Sequence, residues 1–453
     1  MLGAILAVTL RISTVRPIVA IVGRPNVGKS TLFNRLIGRR QAIVDATAGL
    51  TRDRLYGVAD WRGRELTVVD TAGLELGGAG EGTRAAIEMQ TKAAIEEAQA
   101  IVLVLDVRQG LTPVDRDIAE MLRRARTPVL IAANKADSPG NEHFVHELHQ
   151  LGFSEPYLIS AQHGLGVGDL LDRVLELLPP PEEEGEPEAA AARIAIMGRP
   201  NVGKSSLLNA ILGDERSLVQ DEPGTTRDPV DTELVFDGLP VVLVDTAGIR
   251  RRSAARDRLE HFSLLRGIRA MERADAVLLV LDASTGVVSQ DQHVASYALE
   301  AGKALVLVVN KIDLAAPAER SARWWRERVG HEFRFARHVP LVTVSAKTGE
   351  GLGKVLPTAL EVVGQRHVRV STGELNQVLR EAMSSRPPPS FKGKRLQLKF
   401  ATQASSDAPT IVLFVNDTSL LHFSYRRYLE NRLRERFGFA GNPLKIVLRA
   451  ARD

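Results

Sequence analysis

From residue 18 to about 178 the chain alternates short, mostly apolar runs with stretches whose apolar residues recur at helical spacing. The runs 18–22, 66–69, 101–105 and 129–133 read as buried strands, and 83–98 and 115–126 read as helices between them. Continuous apolar strands alternating with helices predict a mostly parallel sheet covered on both faces. Ligands of such folds sit at the carboxyl ends of the strands. After residue 366 the order changes to helix 372–384, a proline break, strands 395–401 and 410–416, helix 421–437 and strand 445–448, a small α+β arrangement.

The alternating pattern occurs twice, in a fixed register. Gly23 and Gly198, Thr51 and Thr226, and Asp70 and Asp245 are each separated by 175 positions, and Asn134 and Asn310 by 176. Ser160 and Ser345 are 185 apart, so the second copy carries about nine further residues late on, where Trp324 and Trp325 lie. That pair reads as core or domain-contact packing, with base stacking as the sharper alternative. The division expected is an extension at 1–16, a first α/β domain at 17–178, an acidic Pro/Glu linker at 179–192, a second α/β domain at 193–363 and a small domain at 366–453. The extension is apolar but short, with its first basic residue at Arg11. That order is wrong for a secretory signal, and an upstream start codon would explain it.

Composition changes little of this. The 453 residues include no cysteine, which excludes disulfides, thiolate metal sites and a cysteine nucleophile and fits a reducing compartment. No apolar run approaches the roughly 20 residues of a membrane span. The formal charge is only +4, but it is unevenly spread: residues 366–453 hold sixteen Lys and Arg against seven Asp and Glu. Arg426, Arg427, Arg432, Arg434 and Arg436 crowd one predicted helix, and Lys392, Lys394, Arg395 and Lys399 mark the strand before it. A basic small domain is the footprint of nucleic-acid binding, with a solvated helix face as the alternative.

The candidate chemistry lies at the strand ends. Gly23-Arg24-Pro25-Asn26-Val27-Gly28-Lys29-Ser30 follows the first strand and precedes a helix, and Gly198-Arg199-Pro200-Asn201-Val202-Gly203-Lys204-Ser205 repeats it. Glycines let backbone N–H groups curl around phosphate, and the helix N-terminus adds positive potential. Lys29 and Lys204 are the candidate catalytic cations on the β- and γ-phosphates, and Ser30 and Ser205 are candidate magnesium ligands. Thr31 and Ser206 complete the two loops. Asp70 and Asp245, opening Asp-Thr-Ala-Gly motifs, are placed at magnesium, Gly73 and Gly248 at the γ-phosphate, and Thr51 and Thr226 over the metal. The base is read by Asn134-Lys135-Ala136-Asp137 and Asn310-Lys311-Ile312-Asp313. Asp137 and Asp313 suit the donor pair of guanine, and an unpaired carboxylate would oppose adenine. The lysine stems can lie along the base and the asparagines can brace the loops. Ser160-Ala161 and Ser345-Ala346-Lys347 are expected to offer N–H groups to the base oxygen. Leu74 and Ile249 stand where many GTPases carry a water-orienting glutamine. The adjoining loops also differ: 76–80 is glycine-rich and neutral, while Arg250, Arg251 and Arg252 are basic.

Together these motifs, with Leu50-Thr51-Arg52-Asp53, Pro223-Gly224-Thr225-Thr226-Arg227-Asp228 and Ser345-Ala346-Lys347-Thr348-Gly349, resemble the bacterial double GTPases of the EngA or Der family over about residues 17–450. The resemblance implies two tandem P-loop GTPase domains followed by a KH-like domain, and a cytoplasmic GTP-hydrolysing factor for assembly of the large ribosomal subunit. It implies GTP and GDP as ligands, magnesium as cofactor, ribosomal RNA as partner, and potassium at Asn26 and Asn201. A monomer without membrane attachment is expected. Thr47-Ala48-Gly49 departs from the Pro-Gly of the second copy. Gly438-Phe439-Ala440-Gly441 has the spelling of a KH nucleic-acid loop but runs straight into the last strand, so it reads as a helix stop and a turn. The alternatives are a GTPase coupled to tRNA modification, and a scaffold in which one site binds GTP without turnover.

Overall fold

A computed structural model describes residues 15–41, 56–71, 84–137, 142–180, 191–214, 216–219, 231–246, 263–333, 335–391, 393–404 and 408–450. They fall into two compact units. One holds 15–180 with residues 263–272; the other holds the rest of the second α/β domain and the tail.

In the first unit the strands are β1 (Ile18–Val22), β2 (Tyr56–Trp61), β3 (Arg64–Asp70), β4 (Ala100–Asp106), β5 (Val129–Asn134) and β6 (Tyr157–Ile159). The sheet order is β2-β3-β1-β4-β5-β6, parallel except for the β2–β3 hairpin. β1 and β4 are buried at every position, which is why they read as unbroken apolar runs. Helices Lys29–Gln41 and Val167–Leu177 cover one face through Leu32, Phe33, Leu36, Leu170 and Val174. The strand order reverses beside β1, so the loop after β1 opens at the switch point. Glu272, in the helix Ser263–Arg273, is fully buried and accepts hydrogen bonds from Thr67 Oγ1 (2.7 Å) and Arg16 Nη1 (3.1 Å).

The second unit repeats the plan with β7 (Ala192–Met197), β8 (Ser217–Val219), β9 (Thr232–Phe236), β10 (Leu239–Val244), β11 (Ala276–Asp282), β12 (Ala304–Asn310) and β13 (Leu341–Thr343). Their order is β13-β12-β11-β7-β10-β9-β8, with β8 an added antiparallel edge strand. In the extra segment Trp325 is buried, Trp324 packs against it edge-on at 5.0 Å, and Arg328 lies over Trp324. The pair packs core against a cation-capped ring.

In the tail, a short ribbon β14 (Ser390–Phe391) and β15 (Lys394–Arg395) precedes the sheet β16-β17-β18. Its strands are β16 (Leu398–Ala404), β17 (Thr410–Val415) and β18 (Lys445–Ala450). Helices Thr372–Ser385 and Phe423–Phe437 pack on one face through Leu375, Leu379, Leu429 and Leu433. The tail joins the second α/β domain through residues 438–442. Gly441 N–H donates to His338 O (3.0 Å) and Gly441 O accepts from Leu305 N–H (2.8 Å). Asn442 Nδ2 donates to Val362 O (2.7 Å) and Phe439 N–H to Gln365 Oε1 (3.1 Å). A Cβ on Gly441 would lie 2.8 Å from Leu305 O. Phe439 and Asn442 are fully buried, so the KH-like spelling marks a domain joint.

Candidate functional site

Each phosphate loop is built by backbone geometry that its sequence dictates. Gly28 at φ +100° and Gly203 at φ +96° close the loops, and a Cβ on either would collide with the carboxamide of Asn134 or Asn310. Asn26 and Asn201 take the left-handed region at φ 64° and 62°, which asparagine tolerates better than most residues. Val27 and Val202 anchor the loops in the cores. Pro25, Thr31, Pro200 and Ser206 are exposed; so is Ser30, while Ser205 is half-buried.

The lysines lie back over their loops. Lys29 Nζ donates to Gly23 O and Arg24 O, each at 2.7 Å, and Lys204 Nζ to Gly198 O (2.8 Å) and Arg199 O (2.5 Å). Burial lowers the Lys29 ammonium to about 8, against the opposing pull of the Asp70 charge. Asp70, at the end of β3, is buried. Its counterpart Asp245 follows β10 in the left-handed region (φ 55°), its N–H held by Asp231 Oδ1 at 2.9 Å. Thr51, Gly73, Leu74, Thr226, Gly248 and Ile249, with the loops 47–49, 76–80 and 250–252, lie outside the described residues.

On the base side, one asparagine ties three segments together. Asn134 Nδ2 donates to Val27 O (2.8 Å), and its Oδ1 accepts from Ala161 N–H (2.9 Å). Asn310 does the same with Val202 O (2.9 Å) and Ala346 N–H (3.0 Å). In this arrangement the N–H groups of Ala161 and Ala346 donate to these carboxamides, which satisfies both ends of each buried amide. Lys135 Nζ bridges Asn26 O (3.0 Å) and Asp106 Oδ2 (2.6 Å), and Lys311 Nζ bridges Asn201 O and Asp282 Oδ2, both at 2.6 Å. Ser160 is buried and Lys347 exposed.

The two base pockets differ at the carboxylate. Asp137 accepts from Arg108 Nη2 at 2.6 Å, and this bond holds the carboxyl below its usual range. Asp313 accepts instead from Ser345 Oγ at 2.7 Å. Ser284 stands where the first copy has Arg108, and its hydroxyl donates to Asp282 at 2.6 Å.

Two carboxylate pairs escape the motif reading. Asp106 and Asp282, ending β4 and β11, hold the base-side lysines. Asp115 and Asp291, in the first turns of helices Pro113–Arg123 and Ser289–Glu300, hold Arg24 (3.1 Å) and Arg199 (3.0 Å) of the phosphate loops. Both pairs keep the 176-residue offset of the asparagines, and that recurrence is the signal that finds them.

Known sequences agree with this geometry. The family described as 50S ribosome-binding GTPase matches residues 18–135 and again 193–311. The elongation factor Tu GTP-binding domain matches 264–365, and the C-terminal KH-domain-like family of EngA bacterial GTPase enzymes matches 369–449. Among curated relatives, GTPase Der of Pelotomaculum thermopropionicum is 48% identical over 96% of this chain and 98% of its own length. GTPase Der of Chloroflexus aggregans is 49% identical over the same shares, and that of Listeria monocytogenes 44% identical over 96% and 99%. Two phosphate loops, each tied by an asparagine to its own base loop, with a KH-like tail and full-length relatives of one kind, place this chain in the Der family of GTPases.

Proposed function

We propose that this GTPase cycles between GTP and GDP at both sites and acts in assembly of the large ribosomal subunit, binding ribosomal RNA in the GTP form. The observation that carries the two-site reading is the pair of asparagine–lysine braces that couple each base loop to its phosphate loop with the same partners. The basic tail and the ribosome-binding description of the matching family support the ribosomal role.

Lys29 and Lys204 swing from loop carbonyls to phosphate oxygens. Asp137 and Asp313 read guanine. The residues fit magnesium: a serine hydroxyl opens the helix at Ser30 and Ser205, a carboxylate ends or follows the neighbouring strand at Asp70 and Asp245, and these oxygen donors would hold the ion together with phosphate oxygens. Thr51 and Thr226 join that set. Magnesium would supply charge neutralisation at the β- and γ-oxygens. Gly73 and Gly248 sense the γ-phosphate. Asn26 and Asn201 are the potassium candidates. The protein works as a cytoplasmic monomer, and no described helix is long and apolar enough to cross a membrane.

Co-sedimentation with separated ribosomal subunits tests the role. Binding to the large subunit with a non-hydrolysable GTP analogue, and loss of binding with GDP, is the expected result. Equal binding in both states overturns the switch, and no binding overturns the ribosomal assignment.

A further inference from the structure

The tail was expected to meet RNA through its basic faces, the arginine-rich helix and the basic strand before it, but the structure gives most of the helix arginines partners within the tail. Arg434 is bound to Phe439 O and Asn442 O in the domain joint, both at 2.8 Å. Arg426 donates to Ile446 O, Arg432 pairs with Glu435, and Arg427 lies over Phe423. Phe439 and Gly441 of the 438–441 loop are buried in the same joint. The three-stranded sheet has a second face that the helices do not cover, exposed at Phe400, Val447 and Arg449 and buried at Thr410.

That face is a regular grid. Register places Phe400, Phe414 and Arg449 side by side across β16, β17 and β18, then Thr402, Val412 and Val447, then Ala404, Thr410 and Lys445. Ala401, Ile411, Leu413, Val415 and Ile446 point the other way, into the helices. A bulge between Leu398 and Phe400 interrupts the alternation. Leu398 and Ala401 remain on the core side, and Lys399 and Phe400 both turn outward. Phe400 is 45% exposed and Val447 41% exposed. The Phe400 and Phe414 rings form a tilted pair at 5.9 Å. An outward aromatic pair on a strand surface is costly unless something covers it.

Charge selects the cover. None of the nine grid residues is acidic, and Lys399 and Arg449 are exposed beside the rings. At the far edge Arg369 is docked on Ala404 O at 3.0 Å. Strand spacing of about 4.8 Å and a residue pair of about 6.7 Å give a platform roughly 10 Å by 13 Å, the footprint of two or three bases. Aromatic faces rimmed by cations suit single-stranded nucleic acid, whose bases stack on the rings while its phosphates meet the cations. We propose that the open face of β16-β17-β18 binds single-stranded RNA, with bases stacked on Phe400 and Phe414 and the backbone held by Arg449 and Lys399. This rests on the reading that the tail serves RNA, and it places the contact on a face other than the KH-like loop.

The test uses the full-length protein and a fluorescent single-stranded oligoadenylate, with a duplex RNA as control, read by anisotropy. Wild type should prefer the single strand. Phe400→Leu with Phe414→Leu keeps the face apolar and should weaken binding about tenfold or more. Phe400→Trp should retain or strengthen it. Arg449→Ala should flatten the salt dependence by about 0.7 in log–log slope. Unchanged hydrolysis and circular dichroism would show the variants folded. Equal affinity in the double leucine variant overturns the proposal, as does a wild type that ignores the oligonucleotide. If wild type ignores the RNA yet the double variant loses ribosomal co-sedimentation, the face takes a protein and the proposal fails while the ribosomal role survives. If the oligonucleotide binds in a ring-dependent way without ribosomal association, the face stands and the ribosomal role falls.

Discussion

At the scale of single residues, the two sites differ in how their charges are held. Lys29 is lowered to about 8 by burial. The unfolded chain, with an ordinary lysine value near 10.5, binds more protons between those two pH values. Stability contributed through this group therefore rises with pH from about 8 to 10.5, and the cost of burying the ammonium is fully present below 8. Nucleotide phosphates favour the charged form, so GDP binding at the first site should take up a proton above pH 8. Calorimetry of a Lys204→Ala protein in two buffers of different ionisation enthalpy should detect that uptake at pH 9, and its absence would place Lys29 outside the phosphate shell. Asp137 carries the second contrast. If Asp137 and Asp313 read guanine as proposed, the base has to displace the guanidinium of Arg108 in the first pocket and meets a serine-held carboxylate in the second. Arg108→Ala should tighten GDP at the first site by at most about fivefold, an exposed ion pair being worth about 0.2–1 kcal/mol. Weaker binding in that variant would mean that the arginine serves the nucleotide instead.

Among elements, the loop 438–442 has the clearest energetic role. Its polar groups are spent on the second GTPase domain, and Asn442 is the central one: fully buried, with Nδ2 on both Val362 O and Ala440 O. Asn442→Ala leaves the Val362 carbonyl without this donor and should cost about 1–3 kcal/mol of stability, measured by urea titration. His338 lies in the same joint. Burial, with the Arg434 charge adding, pushes its imidazole down to about 3, so the folded chain holds it neutral. The unfolded chain binds the extra proton between about 3 and 6.5. Stability should therefore decline as pH falls below 6.5 and decline less in His338→Gln; identical acid titrations would remove His338 from the account. Much of this element plan is legible beforehand. Buried parallel strands announce themselves as unbroken apolar runs, and the helix stop at Gly438 is explicit. The bulge at Phe400 is not legible, because a register change depends on the partner strand rather than on the strand's own alternation.

For the whole molecule, duplication is the governing fact. If both sites turn over, Lys29→Ala and Lys204→Ala should each remove only one site's share of single-turnover hydrolysis. A variant that keeps the full rate would mark its site as structural. Exchange of potassium for sodium should slow hydrolysis if Asn26 and Asn201 help to hold a monovalent cation, and equal rates would end that assignment. The sequence by itself determined the repeated α/β plan, the guanine motifs and the small basic tail, because strand burial, phosphate cradling and base reading each demand local residue patterns. Only the tertiary structure decided which charges are free. It committed Ala161 and Ala346 to asparagine carboxamides and tied Asp137 to Arg108. It also closed the KH-like loop into a joint and turned an aromatic pair outward on the opposite sheet face. Each of these depends on partners distant in the chain, and a polar group's role is set by what satisfies it once water has been excluded.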